Sequence, residues 1–261
     1  MRTWHWVLAL IALIVPATAM ALATVQLCSG QNVELMPDGR MLGHLPYAEA
    51  DPADLVTIEG FGAGKPCVMH RDAAAAIGQL VAAAAKVPGV AGKLRGVSCF
   101  RGIEYQRRVF CSQIGPGKRC KNAAERARSS APPGFSEHAT GYALDFAVRP
   151  MVPGCADVSD CIARTVPGQW LLAHAPEFGF ELSFPSGNTQ GVTWEPWHWR
   201  WVGTRPDAPG AATARTLFAT ARTRFPASPA VLDLSPEWVN ALSPSAPAEP
   251  PPPTAWPNPP Q

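Results

Sequence analysis

Two histidines and two carboxylates in this sequence stand at spacings that could place them around one metal ion. His138 and Asp145 are seven residues apart in SEHATGYALD, and Glu195 and His198 are three apart in EPWHWRWVG. Two imidazoles and one carboxylate are a common ligand set for catalytic zinc, with a further position open to water. The predicted set is His138, Asp145 and His198, which leaves Glu195 to act as a general base.

An ordinary hydrogen-bonded His–Asp pair is the alternative interpretation of this pattern. Tryptophans around a histidine are commonly core residues, and the spacing is not the helical HExxH signature of many zinc sites. The other histidines offer less, because His44 and His174 have no acidic residue at an informative distance. The elements that carry the four residues must therefore decide whether they can meet.

The stretch YALDFAV (142–148) alternates as a strand does. Large side chains at 142, 144 and 146 fall on one face, and small residues at 143 and 147 flank Asp145 on the other. Thr140 and Gly141 disfavour a helix before it, which puts His138 in the loop that enters the strand. Loop and strand can then direct His138 and Asp145 to one point.

Glu195 and His198 belong to the second half of a predicted hairpin. GFELSFP reads as its first strand, SGNTQG as its turn and VTWEPWHWRWVG as its second strand. In a straight strand, residues three apart face opposite sides. Pro196 cannot donate a ladder hydrogen bond, so a bulge or turn is expected there, and it would let Glu195 and His198 converge.

The remaining elements are mostly helical. The alanine-rich residues 70–86 and the segment GIEYQRRVFCSQI (102–114) predict helices, with a short strand, LRGVSCF (94–100), between them. QWLLAHAPEFGF predicts a short helix that ends near Gly179.

The first 23 residues have the plan of a secretory signal peptide: Arg2, an apolar run from Trp6 to Val15, then small residues. The apolar run is too short to span a bilayer comfortably, so we expect export to the periplasm or beyond, with no stable membrane span after cleavage. The net charge of +2 without a Lys/Arg cluster gives no indication of nucleic-acid binding. The Pro-rich residues 243–261 predict an extended tail.

Export favours disulfide bridges for the seven cysteines. Connectivity is not determined by spacing alone. The favoured arrangement has three bridges and one buried free thiol, as follows: Cys111–Cys120, Cys155–Cys161 and Cys28–Cys67 paired, with Cys99 free.

The chain resembles the VanY-type D-alanyl-D-alanine carboxypeptidases, in the wider group that includes VanX-type dipeptidases and hedgehog signalling domains. SEHATGYALD and EPWHWRWVG contain every fixed residue of the two zinc motifs, Ser-x-His-x-x-Gly-x-Ala-x-Asp and Glu-x-Trp-His. SCFRGIEYQ is similar to the upstream family segment, although Cys99-Phe100 and Gly102 replace its usual residues. The resemblance covers roughly residues 45–203.

The resemblance implies a role for each matching residue. His138, Asp145 and His198 would bind Zn²⁺, Glu195 would be the catalytic base, and Arg101 would stabilise the oxyanion. Substrate-binding roles fall to the following residues: Ser136 beside the terminal carboxylate, Gln106 with a supporting or helix-packing role as the alternative, and Trp197 as a wall of the site, with plain core as the alternative.

We therefore expect an α+β fold, a small antiparallel sheet flanked by helices with zinc on its open face. The predicted domain plan is a signal peptide (1–23), an N-terminal extension (24–44), a zinc peptidase domain (45–203), a C-terminal extension (204–242) and the tail. The expected function is release of C-terminal D-Ala from peptidoglycan stem peptides by a monomer. The alternatives are a peptidoglycan endopeptidase, an L,D-carboxypeptidase and a non-catalytic zinc-stabilised binding module.

Overall fold

A four-stranded antiparallel sheet lies at the centre of the computed structural model, which describes residues 23–232. The strands of the described residues are, in chain order, β1 (Thr24–Cys28), β2 (Gln31–Glu34), β3 (Leu55–Ile58), β4 (Cys67–His70), β5 (Leu94–Ser98), β6 (Ala143–Val148), β7 (Phe180–Leu182) and β8 (His198–Trp201). The central sheet has the order β5-β6-β8-β7, and β1-β2 and β3-β4 form separate antiparallel pairs. This confirms the predicted α+β class.

Five α-helices flank the strands in the described part of the chain: α1 (Arg71–Ala84), α2 (Ile103–Cys111), α3 (Ala123–Ala127), α4 (Val166–His174) and α5 (Ala211–Arg224). The alanine-rich helix, α1, buries Ala73, Ile77, Leu80 and Ala84, a spacing that puts one stripe of the helix against the core. Helix α4 continues as a 3₁₀ helix to Phe178, and Gly179 ends it with a φ of 84°. The predicted helices are confirmed, with ends shifted by a few residues.

The two faces of the central sheet differ as the alternation in β6 predicts. Leu144 and Phe146 on β6, with Trp199 and Trp201 on β8, belong to the main hydrophobic core. The neighbours that alternate with them in β8 are the polar His198 and Arg200, which therefore lie on the opposite face. The pleat thus separates an apolar face, which packs in the core, from a polar face that carries His198 and Arg200.

The predicted hairpin exists, but its second strand is much shorter than expected. Strand β8 pairs with β7 and begins only at His198, so residues 192–197 lie outside the ladder. The Glu195 N–H instead donates to Phe184 O, and the His198 N–H donates to Glu195 O at 3.0 Å. Pro196 has no N–H to give, so the chain turns there and only then enters the sheet. The expected break at Pro196 is confirmed.

The disulfide pairing differs from the prediction at two of three bridges. The bridges are Cys28–Cys111, Cys67–Cys99 and Cys155–Cys161, with Cys120 as the buried free thiol. The predicted pairs Cys111–Cys120 and Cys28–Cys67, and the free Cys99, are therefore wrong.

Packing between distant segments explains both differences. Helix α2 lies against β1, which brings Cys111 to Cys28 rather than to Cys120. Strands β4 and β5 pack together at Gly96, where an added Cβ would lie 2.8 Å from Cys99 Sγ and 3.0 Å from Cys67 Sγ. A glycine at that position leaves the space that the Cys67–Cys99 bridge occupies.

Both segments outside the resemblance pack on the rest of the molecule. Leu27 and Val33 of the β1–β2 pair join a second apolar cluster with Phe110 of α2. Phe218 of α5 belongs to the main core, with the Arg200 guanidinium 5.3 Å from its ring centroid. The predicted signal peptide, apart from Ala23, and the Pro-rich tail lie outside the described residues. Among residues 23–232, no helix is long and apolar enough to cross a membrane.

Candidate metal centre and active site

Seven of the eight predicted site residues line one cavity of about 370 Å³. The cavity opens on the polar face of the central sheet, and the seven are as follows: Arg101, Ser136, His138, Asp145, Glu195, Trp197 and His198. The eighth, Gln106, does not line the cavity but bonds to Ala131, which does. The residues chosen from the two motifs therefore meet in space, although the motifs are about 50 positions apart in the chain.

Three elements bring the predicted metal ligands together. His138 lies in a 3₁₀ helix, Glu137–Thr140, that ends at Gly141 with a φ of 71°. This left-handed turn lets the chain enter β6, where Asp145 pairs directly with His198 of β8. Each of the three residues offers one donor atom, and the three donors lie within 4.8 Å of one another.

The ring of His138 is oriented so that its Nε2 atom faces the cavity. Nδ1–H donates to Cys99 O at 2.8 Å, which assigns the lone pair to Nε2. Nε2 is 3.3 Å from Asp145 Oδ1 but has no hydrogen-bond partner although it is buried. Burial, helped by the charge of Arg101, lowers the pKa of His138 to about 4. The imidazole is therefore neutral near pH 7, which is the state that binds metals.

His198 presents its other nitrogen to the same carboxylate. Its Nδ1 is 3.0 Å from Asp145 Oδ1, and its Nε2 is 3.0 Å from Glu137 Oε2. Burial alone would lower the pKa of His198, but the bonds to Asp145 and Glu137 outweigh burial and raise it to about 10. A cation beside Asp145 would replace the Nδ1 proton, while Glu137 would keep the proton on Nε2.

Glu137, which is not among the predicted site residues, contacts His198 and lines the same cavity. Its carboxylate also accepts from Ser183 Oγ at 2.6 Å and from Arg200 Nη1 at 2.9 Å, and Arg200 Nε donates to Glu181. Burial would raise the pKa of Glu137, but the Arg200 charge and the His198 bond hold it below its usual range. The sequence signal that could have pointed to this carboxylate is the alternation in HWRW. It predicts that Arg200, the partner of Glu137, shares the face of His198.

Glu195 and Arg101 each place in the cavity a polar group that lacks a hydrogen-bond partner. The Glu195 carboxylate makes no hydrogen bond to a described residue, and burial raises its pKa to about 8. The backbone N–H of Arg101 donates to His138 O at 3.2 Å, while its guanidinium Nε is buried without a partner. Burial lowers the pKa of Arg101, and the carboxylates of Asp145 and Glu195 oppose that effect.

The three predicted substrate-binding residues have different positions. Ser136 is buried in the cavity wall, and its hydroxyl makes no hydrogen bond within the described chain. Trp197 lines the cavity and also packs on the main core. Gln106 Nε2 instead donates to Ala131 O at 2.6 Å, so this residue supports the loop that lines the cavity. Gln106 thus matches the alternative supporting role.

The donor set fits a divalent cation such as zinc. His138 Nε2 is a buried nitrogen without a hydrogen-bond partner, which is costly unless something binds it. Both histidine rings are held by hydrogen bonds from their other nitrogen, to Cys99 O and to Glu137, as metal-binding imidazoles usually are. Two imidazoles and one carboxylate leave coordination positions open for chemistry.

Comparison with known proteins identifies relatives of the same kind. YodJ of Bacillus subtilis (strain 168), named as a carboxypeptidase whose assignment is provisional, is 29% identical over 116 residues, which are 43% of this chain and 40% of YodJ. A D-alanyl-D-alanine carboxypeptidase of Enterococcus faecium is 33% identical over 79 residues, 30% of this chain and 23% of the relative. The chain thus matches less than half the length of these relatives.

A solved structure of the LD-carboxypeptidase LdcB, described in terms of peptidoglycan recognition, has a TM-score of 0.51 and 25% identity. The match covers 68% of this chain and 77% of LdcB. The family model for VanY, D-alanyl-D-alanine carboxypeptidase, matches residues 67–204, just over half of the chain, and this range contains all eight predicted site residues. Together with the motifs and the cavity, this match shows that the chain belongs to the VanY D-alanyl-D-alanine carboxypeptidase family.

Proposed function

We propose that this protein is a zinc metallopeptidase that releases the C-terminal D-Ala of peptidoglycan stem peptides. The observation that carries the proposal is one cavity that contains three clustered donors able to hold a metal ion and two polar groups without partners, Glu195 and Arg101. A non-catalytic binding module would need the donors but not the other two groups. Membership of the VanY family supports the choice of substrate.

The metal would be held by His138 Nε2, a carboxylate oxygen of Asp145 and His198 Nδ1. Zinc in such a site supplies Lewis acidity, which makes water more acidic and polarises a carbonyl group. Glu195 accepts the proton of the attacking water and later returns it to the leaving amine. Burial gives this carboxyl the raised pKa suited to both roles, and a nearby cation would lower that pKa towards neutrality.

Arg101 stabilises the negative charge that develops on the scissile carbonyl oxygen. Its guanidinium lines the cavity beside the donor cluster, with Nε buried, and makes no ion pair within the described chain, so it does not have to break an interaction in order to act. A fixed charge in a poorly solvated site is worth more than one in water. Ser136 contributes a hydroxyl donor to the bound peptide, and Trp197 forms a wall of the cavity.

L,D-carboxypeptidase activity is the second candidate, because LdcB carries that name and its structure matches this chain with a TM-score of 0.51. D,D-carboxypeptidase activity is favoured by the match to the family model and by the relative from Enterococcus faecium. Both activities remove one residue from a peptide end, so the metal centre serves either. Endopeptidase activity is the third candidate.

We further propose that the protein is exported and acts as a monomer on stem peptides outside the cytoplasm. The three disulfides among the described residues are consistent with an oxidising compartment. The predicted signal peptide supports the same location.

Mass spectrometry of muropeptides digested with the zinc-loaded protein tests the function. We expect pentapeptides to lose one alanine while cross-links remain intact, and the Glu195→Gln variant to leave the pentapeptides unchanged. Loss of alanine from tetrapeptides would instead establish the L,D activity, and cleavage of cross-linked dimers would establish an endopeptidase.

A further inference from the structure

Arg126 is a buried cation in the wall of the active-site cavity, outside the set of residues used so far. Its side chain is 6% exposed and lines the cavity together with Ser129 and Arg101. It lies on α3, a helix that no zinc motif includes. A charged group in this position is costly unless another group compensates it.

The described chain offers Arg126 little compensation. Its Nε atom is buried without a hydrogen-bond partner, and its terminal nitrogens make only two long contacts, at 3.4 Å to Ser129 Oγ and at 3.4 Å to Val109 O. It forms no ion pair with a carboxylate among residues 23–232. Arg200 is also buried but is paired with both Glu137 and Glu181. Unlike Arg200, Arg126 is therefore a buried cation with no anionic partner in the described chain.

The charges around Arg126 favour an anion in the cavity. Burial lowers the pKa of Arg126; Cys120 opposes this, the nearby positive charges of Arg119 and Arg101 add to it, and Glu195 opposes it more weakly. The other cavity carboxylates already have partners, because Glu137 pairs with Arg200 and Asp145 faces the two histidines. A bound carboxylate would therefore relieve a local excess of positive charge.

The backbone under Arg126 is held firmly, which favours a preorganised site. Ala123 and Ala127 on either side of it are buried in the second apolar cluster. His44 Nε2 lies 2.8 Å from Ala127 O, and Asn122 caps the start of the helix by accepting from Glu125 N–H. A side chain that is already ordered loses little conformational entropy when a ligand binds.

We propose that Arg126 binds the C-terminal carboxylate of the peptide and thereby selects chain ends as substrates. This inference rests on the proposed function, in which Arg101 is committed to the scissile carbonyl and Ser136 can assist with a neutral hydroxyl. Guanidinium–carboxylate recognition is strong and directional, because two N–H groups can bind two oxygens. Arg126 is then a specificity residue rather than part of the hydrolytic machinery.

The test compares a stem pentapeptide ending in D-Ala-D-Ala with the same peptide amidated at its C-terminus. On the free acid, Arg126→Gln should lower kcat/KM by about 10- to 100-fold, the size expected for hydrogen bonds between charged groups. On the amide, wild type and Arg126→Gln should be cleaved at similarly low rates. Arg128→Gln, two positions away and exposed, is the matched control and should leave both rates unchanged.

Calorimetric binding separates this inference from the function itself. Zinc-loaded Glu195→Gln protein should bind the acid at least tenfold more tightly than the amide, and adding Arg126→Gln should abolish that preference. If wild type cleaves neither peptide, the proposed function fails while the binding comparison still decides the role of Arg126. Equal losses on acid and amide, or an unchanged preference, would overturn the inference. Should Arg126→Gln not fold, equal binding of acid and amide in the Arg126-containing protein would overturn it as well.

Discussion

His138 and His198 present different ring nitrogens to the same carboxylate, and a hydrogen bond from the other nitrogen decides which. Cys99 O holds Nδ1–H of His138, and Glu137 holds Nε2 of His198. The bond to Cys99 O defines the tautomer of His138 before any metal arrives, whereas His198 would give up its Nδ1 proton on binding while Glu137 keeps the proton on Nε2. The candidate centre is therefore specified by atoms outside the ligand set as well as by the ligands.

At this scale, Glu195 and His198 should respond differently to substitution. Glu195→Gln should retain zinc, because the residue is not one of the three clustered donors, but should lower turnover by at least about a hundredfold. His198→Ala should lose both zinc and activity. Metal analysis together with kinetics on a stem pentapeptide checks both variants. If zinc content fell with activity in Glu195→Gln, Glu195 would have to be a ligand.

His44 should make the folded protein sensitive to acid. It is buried, its Nε2–H donates to Ala127 O at 2.8 Å, and burial lowers its pKa to about 4. In the unfolded chain its pKa is about 6.5, so the unfolded state binds more protons between these values and stability falls as the pH falls. The loss should reach about 3 kcal/mol by pH 4.

Urea unfolding of the metal-free protein between pH 7 and pH 4 measures this effect. His44→Gln can still donate to Ala127 O but cannot be protonated, so its stability should fall less steeply than that of the wild type. His174→Gln, on the surface, is the control for loss of one imidazole. Parallel curves for wild type and His44→Gln would contradict the assignment.

At the scale of elements, Gly141 joins the His138 helix to the Asp145 strand. Its φ is 71°, and an added Cβ would lie 2.9 Å from Leu55 Cδ2 and 3.0 Å from His70 N. Gly141→Ala should therefore combine left-handed strain of about 1–2 kcal/mol with a packing clash. We expect a total loss of about 2–4 kcal/mol in unfolding free energy, together with weaker zinc binding.

Gly187→Ala is the matched control for this prediction. Gly187 has a φ of 74° but nothing within 4 Å of an added Cβ, so the alanine should cost only the backbone strain. Chemical denaturation and zinc titration of both variants give the comparison. Equal effects at the two positions would show that packing around Gly141 does not matter.

At the scale of the whole molecule, the disulfides connect the site to the periphery. Cys67–Cys99 links β4 to the end of β5, and Cys99 O is the acceptor that orients His138. Replacing both cysteines by serine should lower the unfolding free energy by about 2–5 kcal/mol and weaken zinc binding. The same change at Cys155 and Cys161, which close a much shorter loop, should affect stability less.

Peptide mapping and alkylation test the connectivity directly. One thiol, that of Cys120, should react only after denaturation because it is buried. Two or more thiols labelled in the native protein, or a bridge between Cys111 and Cys120, would contradict the arrangement.

The sequence by itself determined the local parts of this protein. Alternation in YALDFAV assigned each side chain to a face of the sheet, because the pleat sets side-chain direction within one strand. Pro196 predicted the break before β8, since a proline cannot donate to the ladder. The two zinc motifs supplied the three donors and Glu195, the upstream segment SCFRGIEYQ supplied Arg101, and the structure brings all five to one cavity.

Only the tertiary structure decided what depends on contacts between distant segments. The pairing of Cys28 with Cys111, the support that Glu137 gives to His198, and the burial of Arg126 without an anion all arise from how separate elements pack. Periodicity predicts which way a side chain points within its own element, but it does not predict which other element that side chain contacts. The motifs therefore predicted the candidate donors, whereas the neighbouring groups, such as Glu137 and Arg126, were identified only from the fold.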